Sequence, residues 1–160
     1  LRYTAREGGS LLRSSAVENL KTRIGGAQAA GSVRLFSVRH EFPNEWAKFT
    51  SIENVDNSNL AELSLQLEEN HYPFWSKGYL EKTKRMDLVA KTSKNIVEIH
   101  DQPGGIDNPD TLEKDTSFGN LRIGKLTYIT PPSPIGKFTL YFNDNSLEDL
   151  WVAVTWGKED

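Results

Sequence analysis

Hydrophobic and polar positions alternate most regularly over residues 60–67. Ala61, Leu63, Leu65 and Leu67 fall on one face of an extended chain, and Leu60, Glu62, Ser64 and Gln66 fall on the other. A period of two marks a strand with one face buried and one wetted. The strand runs directly into Glu68-Glu69-Asn70-His71-Tyr72-Pro73-Phe74-Trp75, where bulky rings surround a proline that cannot continue a central strand.

The same texture recurs downstream. Val33–Val38 predicts a strand, and Asn44 is an N-cap for one helical turn over Glu45–Phe49. Met86, Leu88 and Ala90 share one face of Arg85–Lys91. Ile96–His100, Leu121–Ile129 and Phe138–Phe142 are further short strands, with Gly124 suggesting a bulge. Leu150–Trp156 is apolar on both faces, the pattern of a central strand. Polar, proline or glycine turns separate these runs, and Ile106–Ser117, rich in Asp and Glu, reads as a polar loop. Seven to eight short strands at this spacing predict a mainly β fold, an antiparallel β-sandwich with one short helical turn.

The N-terminal part reads differently. Leu1–Thr4 is a short β-prone tail closed off by Gly8-Gly9. Leu12, Ala16, Leu20 and Ile24 recur every four residues, which predicts a helix over Ser10–Ile24. Gly25-Gly26 ends that helix, and 28–32 is a linker. Residues 1–32 are thus expected to be a tail strand plus helical linker, and 33–160 the β-sandwich domain. With Leu1 first and no initiator Met, the chain is expected to be a piece of a longer polypeptide.

Composition narrows the partners. The 160 residues suit one domain; 37% hydrophobic and 26% charged residues with net charge −3 describe a soluble, slightly acidic protein. Lys and Arg are scattered and not in excess, so nucleic acid is not an expected partner. No run reaches the roughly eighteen apolar residues that a membrane helix needs, so no direct membrane insertion is expected. The absence of cysteine excludes disulfides and thiolate metal sites.

Little of the chain reads as chemistry. His40, His71 and His100 repeat no ligand spacing and read as surface or turn residues. No Gly-x-Ser-x-Gly elbow or phosphate-binding glycine loop is present. Asp107, Asn108, Asp110, Glu113 and Asp115 offer oxygens of the kind calcium takes, without EF-hand spacing. No catalytic residue, metal or cofactor is therefore expected. Tyr72, Phe74 and Trp75 either cap one end of the sandwich or, where exposed, form a protein anchor or a sugar-stacking platform. Trp46 carries the same alternatives, whereas Trp151 and Trp156 read as packing residues.

Several of these runs resemble one family. Leu1-Arg2-Tyr3-Thr4 resembles the closing strand of the A component of insecticidal toxin complex (Tc) toxins, whose final domain binds the B component. Arg34-Leu35-Phe36-Ser37-Val38-Arg39-His40-Glu41-Phe42-Pro43-Asn44-Glu45-Trp46 is similar to a segment preceding a strand-rich terminal domain in related proteins. The order also matches: the Leu60–Leu67 strand, the Pro-aromatic turn, Phe138–Phe142 with Asn143-Asp144, and closing Asp149–Val152. The resemblance covers most of Val33–Trp156. It implies a secreted, virulence-associated, pore-forming toxin subunit whose terminal β-domain docks proteins, the enzymatic payload belonging to the C component. In the A component the chain ends near the Tyr-Thr strand, whereas here the domain follows it. The fragment then reads as an additional copy appended after the B-binding domain. The expected partner is a toxin B component or a neighbouring subunit; the alternative is a host glycan or receptor.

Overall fold

The computed structural model describes residues 33–73, 76, 78–104, 108–115, 118 and 121–157. The tail strand, helix and linker expected over 1–32 lie outside them. Eight strands follow in order: β1 (Val33–Ser37), β2 (Ala61–Leu67), β3 (Lys82–Lys91), β4 (Ile96–His100), β5 (Asp110–Lys114), β6 (Leu121–Lys125), β7 (Gly136–Phe142) and β8 (Asp149–Gly157). Helices α1 (Val38–Glu41) and α2 (Pro43–Ser51) lie between β1 and β2, and a 3-10 turn, Glu69–His71, follows β2.

The alternation in β2 is obeyed residue by residue: Ala61, Leu63, Leu65 and Leu67 are buried, and Glu62 and Gln66 are exposed. Met86, Leu88 and Ala90 likewise share the buried face of β3. β8 is buried on both faces. Leu150, Val152, Val154 and Trp156 enter the main core, while Trp151 and Ala153 join Val89, Phe118 and Ile123 in a second cluster on the other side.

The fold is mainly β and antiparallel throughout, and all eight strands belong to one sheet of order β1-β8-β3-β6-β5-β4-β7-β2. Phe36 of β1 and Leu63 of β2, from the two outermost strands, lie in the same core cluster. A flat sheet cannot bring its two edges into one core, so this one curls until its halves face each other. Gly124 shows how tightly. It is no bulge: it pairs in regular register with Leu88, and the register shift lies instead between Thr83 and Arg85. A Cβ on Gly124 would stand 2.0 Å from the Thr111 carbonyl oxygen and 2.9 Å from Leu112 Cδ2. The glycine is required by the close approach of β5 to β6.

Three other expectations are corrected. The strand expected over Leu121–Ile129 stops at Lys125, where the chain leaves the sheet and bends around Asp110. Ile106–Ser117 is not all loop, because β5 occupies Asp110–Lys114. Its inward positions are Asp110 and Leu112, so one of the two buried residues is a carboxylate and the apolar alternation disappears from the sequence. Asn44 is not the N-cap: α2 begins at Pro43 with Phe42 as N-cap residue, and the single expected turn becomes a nine-residue helix. Proline at the first helical position needs no amide partner, which lets the helix start there.

The alternating strand directions place the β2–β3, β4–β5 and β6–β7 connections at one end of the curled sheet. The helical segment and the β3–β4, β5–β6 and β7–β8 connections take the other. Asn145 Nδ2 secures that second end by donating to the carbonyls of Phe49 and Ile52, both at 2.8 Å. Phe49, fully buried, packs its ring 5.2 Å from that of Phe142.

Gly124→Ala should lower stability by about 1–3 kcal/mol, because the contacting atom is backbone and cannot rotate away. A shift of the urea-unfolding midpoint at unchanged slope would report it; an unshifted midpoint would show that β5 yields.

Candidate functional site

The aromatic segment after β2 is built inward. Glu68 N–H donates to His71 Nδ1 at 2.9 Å, which folds the chain into the 3-10 turn. Tyr72 is buried, its ring edge-on to Phe36 at 5.7 Å and to Trp156 at 5.3 Å. Its hydroxyl donates to the Pro134 carbonyl, and burial holds its pKa well above the ordinary tyrosine range although the Arg34 charge opposes this. Phe74 and Trp75 lie outside the described residues. Trp46 is half-buried on α2, its ring 5.7 Å from Phe49. No ring contact among the described residues joins Trp46 to Tyr72. Of the expected contact residues, then, Tyr72 is a core residue and Trp46 lines the core edge.

Arg34 ties this segment to the sheet. Its Nε donates to the His71 carbonyl at 2.7 Å, its Nη1 to the Leu35 carbonyl at 2.6 Å, and its Nη2 to Glu41 Oε1 at 2.5 Å. The guanidinium carbon also sits 4.3 Å from the centre of the Phe36 ring. Glu41 Oε2 accepts from Ser37 N–H at 2.7 Å. Burial pushes the Glu41 carboxyl up, but Arg34 and the Ser37 amide outweigh burial and hold it below the ordinary glutamate range.

Exposure is concentrated elsewhere at the same end. Tyr128 is 67% exposed, Tyr79 51% and Ile135 37%, and all three lie in the β2–β3 and β6–β7 connections; Ile96 at the opposite end is the other large apolar residue exposed among those described. The β6–β7 connection, with the residues flanking it, forms a charge-free run, Leu126-Thr127-Tyr128-Ile129-Thr130-Pro131-Pro132-Ser133-Pro134-Ile135-Gly136. Leu126 and Ile129 insert into the main core. Between them the chain bends around Asp110, whose carboxylate accepts from the amides of Thr127 (3.0 Å to each oxygen), Tyr128 (3.1 Å) and Ile129 (2.9 Å). Tyr128 is therefore an exposed ring on a pinned backbone. A shallow cleft of about 320 Å³, lined in part by Lys114, Lys125 and Thr127, lies beside it.

The other candidate chemistry is dispersed. His40, His71 and His100 sit on α1, the 3-10 turn and β4, and no group of His and carboxylates able to hold a metal occurs among the described residues. In the acidic stretch, Asp107 lies outside the described residues, Asp110 gives both oxygens to backbone amides, and Glu113 accepts from the Thr111 hydroxyl at 2.9 Å. Sequence reading did not single out Tyr128 or Ile135, and it read Asp110 as a loop oxygen of the kind calcium takes, not as an acceptor for backbone amides. The uncharged run 126–136 with its three prolines was the signal that could have found the first two. No protein-family model, curated protein or solved structure matches the chain.

Two outcomes follow from these contacts. Asp110→Asn removes acceptors from the Thr127–Ile129 amides and should cost about 1–3 kcal/mol, with faster hydrogen exchange at those amides. The stabilisation from Glu41, whose folded pKa is depressed, is complete above the unfolded value of about 4.3 and is lost as pH falls through the folded one. Glu41→Gln should therefore flatten the acid limb of a stability–pH curve measured below about pH 4.3; an unchanged slope there would contradict the Arg34–Glu41 assignment.

Proposed function

We propose that the chain is a non-catalytic protein–protein docking domain that binds through the end carrying Tyr128. The observation that carries this reading is the pinned, exposed ring. Aromatic side chains concentrate binding energy at interface centres, where charge is depleted. A tyrosine on a backbone already held by four amide–carboxylate hydrogen bonds loses little freedom on association. Tyr79 and Ile135 add apolar area at the same end. The resemblance to Tc toxins supplies the partner class, a toxin B component or a neighbouring subunit of a secreted assembly. In this reading Tyr72 supports the surface from below and Tyr128 makes the contact.

The test is binding of the purified chain to a Tc-toxin B component by biolayer interferometry. Tyr128→Ala should weaken binding about 30-fold, the effect of losing about 2 kcal/mol at a hot spot. Its thermal midpoint should stay at the wild-type value, because the ring is solvent-facing. Absence of wild-type binding, or equal binding by the variant, would remove the proposal. Binding on a glycan array that Tyr128→Ala abolishes would instead identify the exposed ring as a sugar platform.

A further inference from the structure

The sheet has two free edges, and they are treated differently. Along β1 two free-side groups are occupied: the Leu35 carbonyl accepts from Arg34 and the Ser37 amide donates to Glu41. The 3-10 turn is held against the same edge through the Arg34–His71 contact.

Helix α2 packs beside β2, but among the described residues β2 carries no such main-chain clamp. It is seven residues long, and it contains no proline, glycine, bulge or inward-facing charge, the usual protections of an edge. Asn143 N–H donates to the Glu98 carbonyl of β4. Along β7 the alternate residues Leu140 and Phe138 therefore face β2, and their partners Leu63 and Leu65 turn their main-chain groups into that ladder. That leaves the amides and carbonyls of Glu62, Ser64 and Gln66 on the free side, since successive residues of an antiparallel strand alternate. Among the described residues, no backbone hydrogen bond of β2 reaches anything except β7. Helix α2 does not fill the space. Between it and β2 runs a cleft of about 460 Å³, walled by Asn44, Glu45 and Lys48 on the helix and by Glu62, Gln66 and Lys137 on the sheet. A groove between a helix and an open strand edge is the setting in which an extended peptide adds as a further strand.

We propose that the free edge of β2, with α2 as its second wall, is a strand-addition site for an extended, mixed-charge peptide segment of a partner protein. The charge pattern selects the occupant. Glu45 and Glu62 balance Lys48 and Lys137, so the groove offers no net field to a polyanion or a membrane surface. It does offer a counter-charge of each sign to alternate side chains of a strand. The cleft shares no lining residue with the Tyr128 surface, and the proposal does not depend on that reading.

The experiment selects a phage-displayed library of unconstrained peptides against the 160-residue chain and retests the winners as synthetic peptides. The expected result is enriched peptides carrying both signs of charge that slow amide exchange at Glu62, Ser64 and Gln66 at least tenfold. Ser64→Pro, which removes a free-side amide, and Lys48→Glu, which reverses one wall charge without touching the core, should each weaken binding at least tenfold. Tyr128→Ala should leave it unchanged. Failure to enrich any peptide, protection that falls outside β2, or equal binding by the folded Lys48→Glu chain would overturn the proposal. Concentration-dependent dimerisation that protects the same three amides without peptide would overturn it too, giving the edge to a second copy of the chain.

Discussion

The structure depends on how an unclosed sheet manages its open side. Eight antiparallel strands curl around one core, yet the first and last in the order, β1 and β2, are not hydrogen-bonded to each other. A core exposed along that opening would be unstable, so the chain spends the segment between them on it. Val38, Phe42 and Phe49 carry the helical segment into the core, and Tyr72 closes in from the other connection. Arg34 joins these parts: one guanidinium holds β1, α1 and the 3-10 turn together while lying over Phe36. The bond to Glu41 is partly exposed and worth little as a surface pair. Its weight comes from satisfying main-chain groups that a free edge would otherwise leave open.

The two ends of the curled sheet divide the work. At the helical end, polar side chains are turned onto backbone: Asn145 holds α2 and the residue after it, and Arg122 Nε donates to the Lys94 and Asn95 carbonyls at 2.7 and 3.2 Å. At the other end a carboxylate does comparable work with an opposite result. Asp110 fixes the backbone of 127–129, and Leu126 and Ile129 take the inward positions on either side. Tyr128 is left in solvent by construction. A ring held out by a rigid support is positioned for contact in a way that a ring on a mobile loop is not.

Legibility in the sequence followed the number of neighbours each residue answers to. β2 and the Phe138–Phe142 part of β7 could be read, because each alternates against a single buried face. β8 was readable as buried on both sides, though not which side each tryptophan would take. β5 was unreadable: Asp110 looks like a loop residue or a calcium ligand until the Thr127–Ile129 amides stand over it. Gly124 was noticed for the wrong reason, since the carbonyl that requires it comes from Thr111, a residue thirteen positions earlier. The aromatic side chains were left open between core and surface for the same reason. Tyr72 and Tyr128 are both tyrosines beside prolines or β-branched residues, and nothing local separates the one that is buried from the one that is exposed.

By itself, then, the chain determined most of its strands and its mainly β, antiparallel character, because alternation and turn chemistry act over a few residues. The tertiary structure alone decided the strand order, the open edge at β2, the inward course of the aromatic turn and the outward one of Tyr128. Each of those depends on groups distant in sequence meeting across the curl: Arg34 with His71, Asp110 with Thr127, Tyr72 with Pro134. The stretch from Tyr72 onward carries the aromatic content, but the fold draws its first ring into the core and gives the exposed position to Tyr128.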